Sequence, residues 1–173
     1  MAAIVIRKAG VEDAAVISLV ARTSFKEAFQ KDFAYPDDLL AYQERTFGVA
    51  KIRASLAKDR NYFWLVLVDE LPVAYAKMKF PSPTPFSELA PLAQLQKIYV
   101  LEDFLGRGIG RQLQDRVIEQ ARELGAQAMW LSVYQGNTQA IGFYEHHGFS
   151  KLGAHQFKIG RVDFEFWAML LPL

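Results

Sequence analysis

Three glycines at alternate positions, interleaved with arginine, stand directly before an amphipathic helix pattern. In the stretch FLGRGIGRQL, glycine occupies positions 106, 108 and 110, and arginine occupies positions 107 and 111. Glycine allows a ligand to approach the main chain closely, and a helix start adds free N–H groups and a positive dipole end. Arginine near that end is favoured where an anion lies beside it. The stretch predicts a phosphate or pyrophosphate site; the alternative is that the glycines only shape a turn.

The glycine pattern does not fit the two common nucleotide-binding loops. A dinucleotide-binding fingerprint would need glycine in place of Arg111 or Leu113. A Walker loop would need a Gly-Lys-Ser/Thr ending, which this stretch lacks. The chain is therefore expected to be neither a Rossmann nor a P-loop protein.

The composition predicts a single domain over residues 1–173, because 51% of the 173 residues are apolar and supply one substantial core. The formal net charge is +1, with acidic and basic residues interleaved. Neither a nucleic acid nor an anionic membrane is therefore expected as a partner. No apolar run is long enough for a membrane span or a secretory signal, so the protein is expected to be cytoplasmic.

Cysteine and histidine usage argues against metal and covalent chemistry. The chain has no cysteine, which excludes thiolate metal sites and an acyl-cysteine intermediate. Adjacent His146 and His147 would point about 100° apart on a helix and make a poor metal pair. No metal cofactor is therefore expected.

The first half of the chain reads as a strand, two helices and a hairpin. A β-branched run ends at Gly10 and is followed by apolar residues at helical spacing. A second helix is predicted from Pro36 to about Lys58, with a break near Gly48. The run YFWLVLVDELPVAYAKMKF predicts the hairpin.

The second half adds a strand, a helix, a strand, a short helix and a last hairpin. The proline-rich segment 81–91 predicts a surface loop before the strand LQKIYV. The helix after the glycine loop is predicted to end at Leu124, before the strand AMWLSVY. Asn137 is expected to cap the short helix.

Two motifs in this order carry a family resemblance. The stretches IYVLEDFLGRGIGRQL and NTQAIGFYEHHGF resemble the GCN5-related N-acetyltransferase superfamily, whose members transfer acetyl from acetyl-CoA to an amine. The resemblance implies an α/β (α+β) fold with a central mixed, mostly antiparallel sheet of about seven strands flanked by helices. The implied order is strand, two helices, three strands, helix, strand, helix, two strands. Acetyl-CoA is the implied cosubstrate, and without cysteine a direct attack in a ternary complex is expected.

The resemblance also implies roles for individual residues. The main chain at Ile98, Tyr99 and Val100 would pair with the pantetheine arm of CoA as an added strand, and Asn137 would bond the same arm. Tyr144 would lie near the thioester sulfur and donate a proton, or a hydrogen bond, to the departing sulfur. A backbone N–H at the end of KIYV would bond the oxyanion. The diphosphate would be held by the amides of Gly106, Arg107, Gly108, Ile109, Gly110 and Arg111.

Two positions depart from the family pattern. Leu105 stands where relatives usually carry glutamine or arginine, which weakens CoA binding at most because backbone amides hold the phosphates. Gln96 stands where many relatives carry a glutamate that acts as base. Because glutamine cannot take a proton, deprotonation of the amine must come from elsewhere or from water.

The acceptor is expected to be a small-molecule amine. Through TSFKEAF, PDDLLAYQERTF and GFSKLGAHQFKIG, the chain resembles bacterial polyamine (spermidine/spermine) N-acetyltransferases most. A polyamine needs carboxylates that hold its distant ammonium groups. The candidates on the first two helices are Glu27, Asp37, Asp38 and Glu44, each of which is otherwise part of a solvated acidic face.

Two other functions and a further residue stay open. The chain could acetylate protein N-termini or lysines, with the loop 81–91 as one wall of an open groove. It could also be a non-catalytic CoA-binding regulator. His155 is expected either to line the acceptor pocket or to be a hydrogen-bonded strand histidine. The protein is expected to be a monomer or a homodimer.

Overall fold

The β-branched and aromatic runs form one seven-stranded sheet in the computed structural model, which describes residues 2–173. The strand order is β1-β2-β3-β4-β5-β7-β6, with β4 and β5 parallel and the other five neighbouring pairs antiparallel. The predicted mixed, mostly antiparallel sheet is therefore confirmed. The strands are β1 (Ile4–Lys8), β2 (Asn61–Val68), β3 (Leu71–Lys79), β4 (Leu92–Val100), β5 (Ala128–Tyr134), β6 (Ser150–Ile159) and β7 (Val162–Pro172).

Helices cover both faces of this sheet. They are α1 (Ala14–Phe29), α2 (Pro36–Phe47), α3 (Val49–Leu56), α4 (Ile109–Glu123) and α5 (Thr138–His146). On the face that we call the α4 face, the helices α4 and α5 bury Leu113 and Ile141 against the strands. On the opposite α1 face, the first three helices bury Ile17, Leu39 and Ile52. The sheet thus has a separate apolar core on each side.

The second predicted helix is two helices. Gly48 is extended, with φ −58° and ψ 145°, and separates α2 from α3. A Cβ at this position would lie 2.8 Å from the carbonyl oxygen of Glu44. The break near Gly48 is confirmed, the predicted order gains one helix, and α3 ends at Leu56 rather than at Lys58.

The parallel strands β4 and β5 separate after three residue pairs. Beyond these pairs, β4 follows β3 to Val100 and β5 follows β7 to Tyr134. The two strands therefore diverge around a wedge-shaped gap, which we call the splay, bordered by 95–100 of β4 and 131–134 of β5. The three pairs are Leu92 with Ala128, Ala93 with Met129, and Gln94 with Trp130.

Candidate active site

The glycine loop presents a row of free amides at the start of α4. Gly106 and Gly108 have φ of 74° and 76°, a left-handed conformation that glycine adopts at little cost. Gly108 is the N-cap of α4, and the first amide that bonds back into the helix is that of Gln112. The six amides of 106–111 donate to no group within residues 2–173. Together with the positive end of the helix dipole, they form a cradle for an anion.

The side chains of this loop are less available than its main chain. Arg107 donates to the carbonyl of Asp103 at 2.9 Å, and its guanidinium lies 4.7 Å from the centroid of the Phe104 ring. Arg111 is exposed, with its Nε 3.9 Å from the carboxylate of Asp115. The side chain of Ile109 is buried in the core of the α4 face. A bound anion would thus contact Ile109 through the amide alone.

Beside the splay, β4 offers a free edge. Ile98, Tyr99 and Val100 pair with β3 on one side, but β5 has already left the other side. The N–H and C=O groups on that side are available to an added strand. Ile98 and Val100 pack toward the α4 face and Tyr99 packs toward the α1 face.

Tyr144 and Asn137 lie on α5, over the α4 face. The Tyr144 ring is 9% exposed and packs edge-on against Phe143 and Phe149, with both centroid distances 5.6 Å. Burial raises the pKa of the Tyr144 hydroxyl well above its usual value, so it stays protonated at neutral pH. Asn137 caps α5 as predicted: its Oδ1 accepts from the amide of Ala140 at 3.2 Å, which leaves its Nδ2 to bond a ligand.

Aromatic rings close the splay on the α1 face. The Phe29 ring, at the end of α1, lies 6.3 Å from that of Tyr99 on β4 and 6.4 Å from that of Tyr134 on β5. Phe164 of β7 lies 5.5 Å from Tyr134. We call Phe29, Tyr99 and Tyr134 the aromatic gate, since Phe29 spans both diverging strands. Such rings attract cations over their faces.

Asp32 lies at this gate and was not singled out by the sequence. It ends the short 3-10 turn 30–32 that follows α1 and is half-buried. Burial and the negative charge of Asp32 both raise the pKa of the Tyr134 hydroxyl. The position of Asp32 in the sequence, three residues after Phe29 at the end of a helix that carries aromatic residues, could have indicated it.

The four predicted substrate carboxylates are dispersed. Glu27 lines an open cleft of about 850 Å³ beside α1, where its Oε2 accepts from the amide of Glu102 at 2.8 Å. Asp37 and Asp38 both bind Arg161 in the turn between β6 and β7, at 2.7 and 3.2 Å. Glu44 is exposed on α2. The structure therefore does not bring the four carboxylates together.

The cleft beside Glu27 carries more basic than acidic groups. Arg22, Lys26 and Lys31 line it together with Glu27 and Glu102. Such a mixed wall does not by itself select a polycation, so Asp32 and the aromatic gate are the features of the α1 face best suited to a cationic acceptor.

Gln96 is the extra residue of a β-bulge in β4. Lys97 pairs with Lys77 and Leu95 pairs with Met78, which leaves Gln96 without a partner on β3. Its Oε1 is buried and accepts no hydrogen bond from any group of residues 2–173. The position that carries glutamate in many relatives therefore holds an amide oxygen, next to the splay, that can accept a hydrogen bond but cannot take a proton.

No metal centre or membrane span is seen in the part of the chain that the structure describes. Residues 2–173 contain no group of three histidine, cysteine, aspartate or glutamate side chains placed to hold a metal ion. The rings of His146 and His147 meet edge-on at 5.2 Å, and the Nδ1 of His147 lies 2.6 Å from the carbonyl oxygen of Phe143. No helix within these residues is both long and apolar enough to cross a bilayer.

Comparison with known sequences shows the family. The family profile described as Acetyltransferase (GNAT) family matches residues 22–149. A protein of Lactobacillus delbrueckii subsp. lactis, named uncharacterized N-acetyltransferase in pepI 3'region, is 28% identical over 142 residues. That match covers 82% of this chain and 81% of the relative.

Comparison with solved structures shows the same fold. PaiA N-acetyltransferase from Thermoplasma acidophilum, solved in complex with coenzyme A, matches with a TM-score of 0.79 over 99% of both chains, at 18% identity. NAA60 of Arabidopsis thaliana, in complex with a bisubstrate analogue, matches with a TM-score of 0.77 over 98% of both chains, at 14% identity. The chain therefore belongs to the acetyltransferase (GNAT) family and is an N-acetyltransferase that uses acetyl-CoA.

Proposed function

We propose that the chain acetylates a primary amine by direct attack in a ternary complex, and that the amine is a polyamine such as spermidine or spermine. The observation that carries the proposal is the two-sided splay. Free main-chain amides lie on its α4 face, and aromatic rings with a carboxylate lie on its α1 face. A donor and an acceptor can therefore enter from opposite sides and meet between β4 and β5.

The α4 face supplies the groups that would hold the donor. The amides of 106–111 would bind the diphosphate of acetyl-CoA, whose thioester provides the acetyl group. The free edge of β4 at Ile98, Tyr99 and Val100 would align the arm of the donor as an added strand, and Asn137 Nδ2 would bond it. A backbone N–H at the end of β4 would bond the oxygen that gains negative charge during attack.

Tyr144 would then give its proton to the departing sulfur. Burial raises the pKa of the hydroxyl, so it carries a hydrogen at neutral pH that it can donate to the sulfur as a hydrogen bond or as a proton, and packing against Phe143 and Phe149 fixes the ring. General acid catalysis of this kind contributes about 10² to 10⁴ in rate.

The α1 face supplies the groups that would hold the acceptor. Phe29, Tyr99 and Tyr134 favour an ammonium over a neutral ligand because their rings attract cations. Asp32 is the carboxylate best placed to bind one charged end of a polyamine at this gate. Glu27 would hold a second ammonium in the adjoining cleft. Asp37, Asp38 and Glu44 would act only as a more distant negative surface, since the first two already bind Arg161.

The proposal is tested by following free thiol release from acetyl-CoA in the presence of single acceptors. Spermidine, spermine, lysine and peptides with a free N-terminus form the panel, and Tyr144→Phe is the control for a contaminating enzyme. We expect turnover of the polyamines, with KM rising as salt screens the charged acceptor.

The other outcomes separate the alternatives. Turnover of peptides without turnover of polyamines would show that the acceptor is a protein and not a polyamine. Binding of CoA by calorimetry without turnover of any amine would favour a CoA-binding regulator. Absence of CoA binding would contradict the donor site itself.

A further inference from the structure

A serine and a histidine from different strands form a hydrogen-bonded pair on the α1 face. Ser132 Oγ of β5 and His155 Nε2 of β6 are 2.9 Å apart. Since β7 lies between these strands, the imidazole reaches across β7, where small Ala168 is the partner of Ser132. Neither residue has a role in the donor site described above.

Two aromatic rings pack against the histidine ring. It stacks on Phe166 of β7, with centroids 5.5 Å apart and planes inclined by 20°. The ring of Phe86, from the loop 81–91, has its centroid 5.9 Å from that of His155. The same ring also covers Gly153, where an added Cβ would lie 2.7 Å from it. These contacts fix the imidazole with Nε2 directed at Ser132.

Ser132 lies where the splay opens. The last pair between β4 and β5 is Gln94 with Trp130. Two residues further along, β4 has Gln96 and β5 has Ser132. Side chains alternate along a strand, and Val133 is buried in the core of the α4 face. Ser132 therefore shares the α1 face with Tyr134, on the side of the sheet opposite Tyr144.

This position matches an unmet chemical need. A primary alkylamine with a pKa of about 10 is mostly protonated at pH 7, and it must lose a proton before it can attack. Gln96, whose buried Oε1 has no partner in the described part of the chain, can orient an N–H group but cannot take its proton. Imidazole is the side chain that accepts and releases protons at neutral pH.

We propose that Ser132 and His155 form a proton relay that deprotonates the acceptor ammonium, an inference that rests on the proposed acetyltransferase function but not on the polyamine. One N–H bond of the ammonium breaks and its proton passes to Ser132 Oγ, while the hydroxyl proton of Ser132 passes to His155 Nε2. The amine keeps the electron pair that attacks the acetyl carbon. The neutral imidazole carries its own proton on Nδ1 and becomes the cation, so proton and charge balance without a further reagent.

The relay predicts a pH dependence set by the proton that the acceptor ammonium must lose. Of the elements packed against the His155 imidazole, β5 contributes Tyr134 and the loop 81–91 contributes the exposed Glu88 as ionisable groups. On β7 the neighbouring Glu165 points to the other face, where it accepts from Gln156. Within residues 2–173, His155 therefore takes part in no ion pair that its substitution would break.

The test measures kcat/KM for spermidine between pH 6 and 10 in His155→Gln and Ser132→Ala, with the panel's best amine used where spermidine is inactive. We expect about a 10²-fold loss at pH 7. The deficit should shrink toward pH 10, where the amine is already deprotonated in solution. The double variant should be no slower than the slower single variant, because the two residues act as one unit.

Controls separate the relay from a structural role. Exposed His146 on α5 provides His146→Gln, which should retain the parent rate, and CoA affinity should be unchanged in every variant. Ser132→Thr keeps a hydroxyl and should retain most of the activity, which keeps the proposal testable if Ser132→Ala is poorly folded. A deficit that is equal at all pH values, or parent rates in both variants, would overturn the relay. Absence of amine turnover by the parent protein would instead contradict the proposed function, and the relay with it.

Discussion

On the α4 face of the splay the groups available to a ligand are mostly main-chain amides, with the side chains of Asn137 and Tyr144, whereas on the α1 face they are side chains. The amides come from one continuous stretch, 106–111, next to the end of β4. The side chains come from α1, the turn 30–32, β4, β5 and β6. A main-chain site is suited to the diphosphate, which is the same in every acetyl-CoA molecule. A side-chain site can differ from one acetyltransferase to the next while the sheet stays the same.

Tyr144→Phe is expected to give the largest effect on the α4 face. The substitution keeps the ring and its packing on Phe143 and Phe149 but removes the proton donor. We expect kcat to fall by about 10², the lower end for general acid catalysis, since a thiolate is already a good leaving group. CoA affinity and acceptor KM should change little, because the lost interaction is made mainly in the transition state.

Steady-state kinetics and calorimetry with CoA check this prediction, and half-buried Tyr62→Phe on β2 serves as the matched control. An unchanged kcat in Tyr144→Phe, where chemistry limits turnover, would show that Tyr144 only packs and that water supplies the proton.

Gly110→Ala should separate fold stability from donor binding. Gly110 is in the first turn of α4, where alanine favours the helix by about 0.5–1 kcal/mol. Its Cβ would lie 4.0 Å from both Val100 and Phe143, at ordinary contact distance. The added methyl group stands between β4 and α5, along the proposed path of the donor, so we expect Tm to rise and CoA affinity to fall by about tenfold, or roughly 1.4 kcal/mol.

Gly142→Ala in α5, where a Cβ meets nothing within 4 Å, is the control for Gly110→Ala. It should raise Tm without weakening CoA. Equal CoA affinity in the parent protein and in Gly110→Ala, measured by calorimetry, would place the donor elsewhere.

The difference between the faces also explains what the sequence could predict. The order of helices and strands along the chain, the cap at Asn137 and the anion loop follow from local patterns: apolar periodicity, a cap residue and three glycines. These are properties of neighbouring residues. The mixed sheet of about seven strands was implied by the family resemblance, and the structure confirms both that sheet and the cap.

Sequence patterns could not predict the contacts of the α1 face. Phe29 meets Tyr134 because α1 crosses the splay, and Ser132 meets His155 across the intervening β7; no local pattern specifies either contact. The acidic residues illustrate the limit. The sequence predicts that Asp37 and Asp38 are available to a substrate, but the turn between β6 and β7 lies beside α2 and its Arg161 pairs with both carboxylates.

Asp32→Asn probes the acceptor side of the comparison. Removing the carboxylate near Tyr134 should raise KM for spermidine about fivefold, since a partly exposed charge contributes on the order of 1 kcal/mol. CoA affinity should stay at the parent value, because Asp32 lies on the opposite face from the amide cradle. The effect should shrink in high salt.

Asp59→Asn is the control for Asp32→Asn, because Asp59 is exposed in the turn before β2 and its substitution removes one negative charge away from the gate. If both variants raise KM for spermidine equally, the acceptor responds to overall charge and not to a carboxylate at the gate.

Asp13→Asn should change stability and leave both faces functional. Asp13 forms a paired contact with Arg7 at 2.7 and 2.9 Å, and this hydrogen bonding to Arg7 lowers the pKa of the carboxyl. A carboxyl with a lowered folded-state pKa contributes stability above its unfolded pKa of about 3.9, and that stability is lost as pH falls through the folded value. We expect a loss of about 1 kcal/mol at pH 7, which vanishes near pH 2.

Urea unfolding of the parent protein and Asp13→Asn across this pH range gives the measurement. A difference that persists at the acid end would assign the effect of Asp13 to packing or hydrogen bonding instead of its charge.

The two-sided splay is tested most directly by following backbone amide resonances in two titrations of the ¹⁵N-labelled protein. Added CoA should shift the amides of Gly106, Gly108 and Gly110 and those of the free β4 edge. Spermidine added to the CoA complex should then shift resonances around Phe29, Asp32 and Tyr134 and leave the glycine loop unchanged. If both ligands shift the same set of amides, or if CoA leaves the glycine loop unchanged, the assignment of donor and acceptor to opposite faces is wrong.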